Sequence, residues 1–176
     1  MPKLAVRPMG TPDAAAVRAI GAAADERFRL IDDPRIAACA DHSPITIEEL
    51  VAYIDAGRAW VATQDGALVG FVVVDTLDGG AHIEELSVAP SAQRRGHGAR
   101  LLEMAARWAQ TAGFGVVTLT TFRDVPWNAP WYESRGFRVV APGEITPELG
   151  GRRDEEDARG LPAELRVVMC RDVGPR

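Results

Sequence analysis

The sequence has few of the residues that build metal centres or disulfide frameworks. Its 176 residues include two cysteines, Cys39 and Cys170, and three histidines, His42, His82 and His97. No CxxC or paired Cys/His spacing links them, so no metal site is expected and both cysteines read as reduced thiols. Long apolar runs are missing as well. The longest are far too short to span a bilayer, and the opening residues MPKLAVRPMG contain no apolar signal-peptide core. The expectations are a cytoplasmic location and no membrane partner. An excess of basic charge is also absent. The chain carries 20 Lys and Arg against 25 Asp and Glu, a net charge of −5, which argues against a nucleic-acid partner. There is no internal repeat and no low-complexity tract.

What remains is an ordinary globular balance, 47% hydrophobic and 26% charged. The length suits a single domain over residues 1–176 with a core of its own. Residues 4–8 read as a first strand. Thr11-Pro12-Asp13 signals a helix start, with Val17, Ile20, Ala24 and Phe28 at helical spacing. Residues 29–43 break that period and read as a loop or short helical piece. Thr46-x-x-Glu49 is a capping box for a second helix, which Gly57 ends. Residues 60–64 and 68–75 are strand-like and joined by Asp65-Gly66, a hairpin turn. A third run, residues 81–88, ends at Pro90.

A long helix is expected over residues 98–112, with Leu101, Ala105, Trp108 and Ala112 inward and a Glu103–Arg107 pair outward. Residues 116–122 form a further strand, residues 129–134 a short helix, and residues 137–140 and 165–171 the last strands. Residues 143–163, rich in charge, Gly and Pro, read as a segment wandering over the surface. The element order implies an α/β fold, a mixed sheet with helices on both faces. Only the runs at 81–88 and 116–122 are joined by a strand–helix–strand crossover, and so are parallel.

The most informative stretch is Leu86-Ser-Val-Ala-Pro-Ser-Ala-Gln-Arg-Arg-Gly-His-Gly-Ala-Arg-Leu-Leu102, a strand, a basic glycine-containing turn and a helix. Unpaired N–H groups and the helix dipole favour an anion there. Gly96 and Gly98 allow close approach to the backbone, and Arg94, Arg95 and Arg100 add charge. A Walker loop needs Gly-Lys-Ser/Thr, but Ala99-Arg100 follows Gly98. A Rossmann turn needs a small residue where Leu101 stands.

The stretch resembles the acetyl-CoA signature of the GNAT N-acetyltransferase superfamily, Gln/Arg-x-x-Gly-x-Gly/Ala after a strand ending in Val-x-Pro. Gln93, Gly96 and Gly98 occupy its fixed places, and Val88 and Pro90 match the approach. A second stretch, Asn128 to Phe137, is similar to the family's later motif: Tyr132 stands four residues before Gly136-Phe137. Asn128 lies closer to the tyrosine than the family's asparagine often does.

The resemblance implies a mostly antiparallel central sheet with one splayed parallel pair, and acetyl-CoA as cofactor. It implies cofactor contacts from Leu86, Val88, Gln93, Arg94, Arg95, Gly96, His97, Gly98, Ala99 and Asn128. The acceptor would be the amine of a small molecule or peptide, and relatives are often homodimers. Amine attack on a thioester needs a neutral nitrogen, hence a base, and a proton for the departing thiolate. The resemblance places the base on the strand before the turn. Strand alternation puts His82 and Glu84 on one face and Glu85 on the other. Glu84 is then the favoured base with His82 as helper, although a bulge would promote Glu85. Tyr132 is the candidate acid. Asp32, Asp33 and Asp41 lie in the connection that lines the acceptor pocket in this family. A catalytically silent acyl-CoA-binding module would share the same cradle.

Overall fold

The computed structural model describes residues 1–174. Seven strands form one sheet: β1 (Leu4–Pro8), β2 (Ala59–Gln64), β3 (Ala67–Leu77), β4 (Gly80–Val88), β5 (Val116–Phe122), β6 (Arg138–Val139) and β7 (Arg166–Asp172). Their order across the sheet is β1-β2-β3-β4-β5-β7-β6. All neighbours are antiparallel except β4 and β5. Among the described residues six α-helices flank the sheet: α1 (Ala14–Asp25), α2 (Pro34–Ala37), α3 (Ile47–Asp55), α4 (His97–Thr111), α5 (Ala129–Glu133) and α6 (Pro147–Ala158). None is long and apolar enough to cross a membrane.

Alternation along the strands divides the core. Trp60, Val72, Ile83, Leu119, Val167 and Met169 pack toward α4, with Leu101, Leu102, Ala105 and Ala109 from that helix and Tyr132 from α5. Val61, Phe71 and Val73 face the other way, against Val17 of α1 and Leu50 of α3. Leu149 of α6 covers Val168 and Cys170 on that same side. Each fully buried side chain of this size contributes roughly 1.5–3 kcal/mol of burial free energy. Together they hold β4 rigid between two layers.

Several local expectations need correction. Thr11 is not a helix cap. Residues Thr11–Asp13 form a 3-10 turn, which Asp13 closes by accepting from the Gly10 N–H at 2.8 Å. Phe28 lies beyond α1 in a second 3-10 turn, Glu26–Leu30. On α4, Ala112 is exposed at the C-cap, and Ala106 and Ala109 are buried instead. The carboxylate of Glu103 pairs with Arg171 at 2.9 Å, and Arg107 reaches only the Glu103 carbonyl. Residues 147–158 do not wander. They form α6, started by Thr146, which accepts from Leu149 N–H, with Pro147 in the first turn.

Candidate active site

Two irregularities in β4 build the site. The first is a bulge. Val74 pairs with Ile83 and Val73 with Glu85, so Glu84 is the extra residue. Ile83 and Leu86 then both pack toward α4, while Glu84 and Glu85 both turn from that face. The alternation expected for Glu85 is thereby reversed. The second is the splay. β4 and β5 pair only at Ala81–Val117, His82–Thr118 and Ile83–Leu119. Beyond Ile83 the β5-facing edge of β4 is free of ladder partners. A cavity of about 540 Å³ opens there, lined on its β4 wall by residues 83–88 and by Gln93, Arg94, Gly96, Gly98, Asn128 and Tyr132.

The turn into α4 closes one end of this cavity. Arg94 and Gly96 both have positive φ, 59° and 86°. Among the described residues, the N–H groups from Arg94 to Ala99 have no backbone or side-chain acceptor. These donors, the dipole of a 15-residue helix and the neighbouring arginines suit a diphosphate. Gln93 braces the turn by donating from Nε2 to the Val88 carbonyl at 3.0 Å. His97 is buried and lines the cavity too, its Nε2 3.1 Å from Gln64 Oε1. Arg95 is exposed and is not part of the cavity wall. Leu86, Val88 and Ala99 line it. The free β4 edge and this turn are the features a pantetheine arm and its diphosphate need, so the residues present fit coenzyme A.

The proposed catalytic side chains stand in different environments. Glu84 is clamped by Arg152 of α6, whose guanidinium also reaches Asp75 at 2.9 Å. Burial raises the Glu84 pKa, with Arg152 pulling against it. Glu85 accepts only a 3.3 Å hydrogen bond from the Ser87 hydroxyl and has no cationic partner in ion-pair contact among the described residues. Burial, reinforced by Asp25, pushes it up to about 7. His82 lies beneath the cavity wall, fully buried, with Nδ1 2.8 Å from Thr118 Oγ1. Burial drives its pKa down to about 3, so the ring is neutral.

Tyr132 lines the cavity from α5, and its hydroxyl has no protein hydrogen-bond partner among the described residues. Burial raises its pKa, which keeps the phenol protonated. Asn128 accepts from Thr121 Oγ1 at 2.8 Å and from Phe122 N–H at 3.3 Å, fastening α5 to the end of β5.

Glu85 owes its place partly to a glycine. Gly21 lies in the middle of α1, where a Cβ would stand 2.9 Å from Glu85 Oε1. Gly21→Ala is therefore expected to displace the carboxylate. The helix itself favours alanine by roughly 0.5–1 kcal/mol. Turnover should fall several-fold while the melting temperature holds or rises, as paired kinetic and thermal measurements would register.

Sequence reading did not single out Asp25, Glu156, Arg159 or Arg166, all of which line the cavity. Arg166 of β7 is buried, donates to the Thr120 carbonyl at 2.8 Å and lies 3.4 Å from Glu156 of α6. The missed signal for the α6 residues was Thr146-Pro147, the same kind of helix start read at Thr11-Pro12. The three acids of the connection before α3 do not line the cavity. Asp33 caps α2 and pairs with Arg35, Asp41 pairs with Arg29 on the surface, and Asp32 is exposed.

Comparison with known proteins now gives the class. The profile described as the acetyltransferase (GNAT) family matches residues 25–137, more than half of the chain. The chain belongs to that family. Its fold is similar to that of N-acetylglutamate synthase from Neisseria gonorrhoeae, solved with coenzyme A and N-acetyl-glutamate. There the identity is 20% and the TM-score 0.72, over 97% of this chain but only 35% of the other. It is similar along nearly the whole of both chains to the PaiA N-acetyltransferase of Thermoplasma acidophilum, solved with coenzyme A. The identity is 15% and the TM-score 0.71, covering 97% of this chain and 99% of that one. The ribosomal-protein-S18-alanine N-acetyltransferase of Escherichia coli matches at 17% identity and TM-score 0.65, covering 99% and 96%.

Proposed function

We propose that this chain is one N-acetyltransferase domain that passes the acetyl group of acetyl-CoA to a primary amine of a small molecule or peptide by direct attack. One arrangement carries the reading. The free edge of β4, the donor-rich turn before α4, a carboxylate with no ion-pair contact among the described residues and a protonated tyrosine all open on the same cavity. The coenzyme A bound in the Neisseria and Thermoplasma structures supports that cofactor choice.

Acetyl-CoA supplies an activated acyl carbon. The chain's residues manage the protons. An alkylammonium is only about one part in a thousand neutral at pH 7, a deficit of roughly 4 kcal/mol. Glu85, held near neutrality by burial, takes the ammonium proton directly or through one water and frees the nitrogen lone pair. N–H groups on the open edge of β4 near Leu86 stabilise the oxygen that gains charge. As the C–S bond breaks, Tyr132 gives a proton to the departing sulfur and regains one from the newly acylated nitrogen, so the only proton released is the one Glu85 took. The base role falls to Glu85 rather than Glu84 because Glu84 is neutralised by Arg152. His82 serves as a neutral brace between β4 and β5.

The test is thiol release from acetyl-CoA in the presence of alkylamines, polyamines, aminoglycosides, amino acids and peptides. Turnover on one of them, reduced about 10- to 100-fold in Tyr132→Phe with KM little changed, is the expected result. Tight acetyl-CoA binding with no turnover on any amine would instead indicate a silent acyl-CoA-binding module.

A further inference from the structure

An imidazole shares the cavity wall with the proposed base. His42 lies in the connection before α3, and both of its ring nitrogens meet oxygen acceptors. Nε2 is 2.8 Å from Asp25 Oδ2 and Nδ1 is 3.1 Å from the Ser43 carbonyl. A carbonyl oxygen only accepts, so Nδ1 carries a hydrogen; an ionised carboxylate only accepts, so Nε2 carries another. A doubly protonated ring donates to both acceptors at once. The Asp25 hydrogen bond raises the His42 pKa, against the effect of burial.

The pair is firmly seated. The two side chains are only 14% and 19% exposed. The Ser43 N–H donates to the Arg159 carbonyl at 3.0 Å, and the backbone at Gly160 lies against His42. Asp25, His42 and Glu85 line one cavity, although they come from α1, the loop before α3 and the bulge of β4.

We propose that His42 and Asp25 form a positioning pair for Glu85. The imidazolium favours the ionised carboxylate of the base, and Asp25 keeps the imidazole cationic and aimed into the cavity. This rests on the reading of Glu85 as base. The other charged groups on the cavity walls are Glu84 from the same strand, Glu156 from α6 and Arg159 at its C-cap, Arg166 from β7, Arg27 from the turn after α1, Arg94 from the turn before α4 and Arg135 just after α5. Most are committed: Glu84 to Arg152, Arg159 to Glu49 and Glu156 to Arg166. Arg27 stacks on Trp127 at 4.0 Å. The influences on the Glu85 carboxyl are burial first, then Asp25 upward and His42 downward.

Removing His42 alone leaves Glu85 facing the bare Asp25 carboxylate, and like charges in one site raise a carboxyl pKa. Removing both partners takes away a cation and an anion together. The test follows the titration of the Glu85 carboxyl carbon by NMR in the full chain, assigned with Glu85→Gln, for wild type, H42Q and the double variant D25N/H42Q. H42Q is expected to titrate about one pH unit higher than wild type, and the double variant to return toward the wild-type value. The acid limb of the pH–rate profile for acetyl-CoA thiol release should move in parallel. Simple structural damage would lower the rate at every pH and would deepen with the second substitution. An unmoved titration in H42Q, or a double variant displaced further still, overturns the proposal. Full activity in Glu85→Gln would instead sink the base assignment, whatever H42Q did.

Discussion

Glu85→Gln is expected to lower kcat by about 10²–10⁴-fold, the usual worth of a positioned general base, with acetyl-CoA affinity unchanged. The substitution keeps the size of the side chain and its contact with Ser87, so it removes proton acceptance and little else. In the wild type, the rate should rise with pH through about 7, where the buried carboxyl loses its proton. A stability signature accompanies this loss. The folded chain holds the Glu85 proton more tightly than the unfolded chain, where a glutamate titrates near ~4.3. The stability contributed by that proton is complete below the unfolded value and disappears as pH rises through about 7. Glu85→Gln should therefore melt at a higher temperature than wild type at pH 8 and show no such gain at pH 4. Glu84→Gln should keep more activity than Glu85→Gln, because Arg152 already neutralises that carboxylate and retains Asp75 and Glu155 as partners. Kinetics and melting curves on the two variants separate the roles.

The second large effect is expected at Gly96. Its φ of 86° is a backbone state that any side chain strains, at a cost of roughly 1–3 kcal/mol. A Cβ there would meet open space, so the penalty comes from the backbone and not from a clash. Gly96→Glu adds a negative charge in the turn that carries the free N–H groups, and that charge opposes a diphosphate. The two effects together predict at least a 100-fold loss of acetyl-CoA affinity by calorimetry, with the fold intact by circular dichroism. Unchanged affinity would remove the turn before α4 from the cofactor site.

Much of this was legible in the sequence for a physical reason. Where one face of an element is buried, its residue pattern is dictated: the helix before Gly113, the Asp65-Gly66 hairpin and the crossover between β4 and β5 all follow from period and turn chemistry. The turn from Gln93 to Ala99 was readable because close backbone approach and positive φ restrict the residue type. The acidic strand was half readable. His82, Glu84 and Glu85 stood in view, but a bulge leaves no mark in a single sequence, and it alone puts Glu85 in the cavity. Helix α6 was hidden by Gly150-Gly151 and a run of charges that suggest a loop. Its stability comes from Leu149 on the sheet and from Arg152 in the carboxylate cluster, and both are tertiary contacts. The pairing of Asp25 with His42 joins residues 17 apart in the chain, and neither has a neighbour that announces it.

The opened β4–β5 pair and the turn before α4 are expected to grip coenzyme A by their main chain. Amide hydrogen exchange with and without saturating acetyl-CoA tests it most directly. Slowed exchange concentrated at residues 86–88 and 94–99 is the predicted result. Exchange unchanged in both segments while the ligand is bound, with protection elsewhere on the molecule, would contradict it.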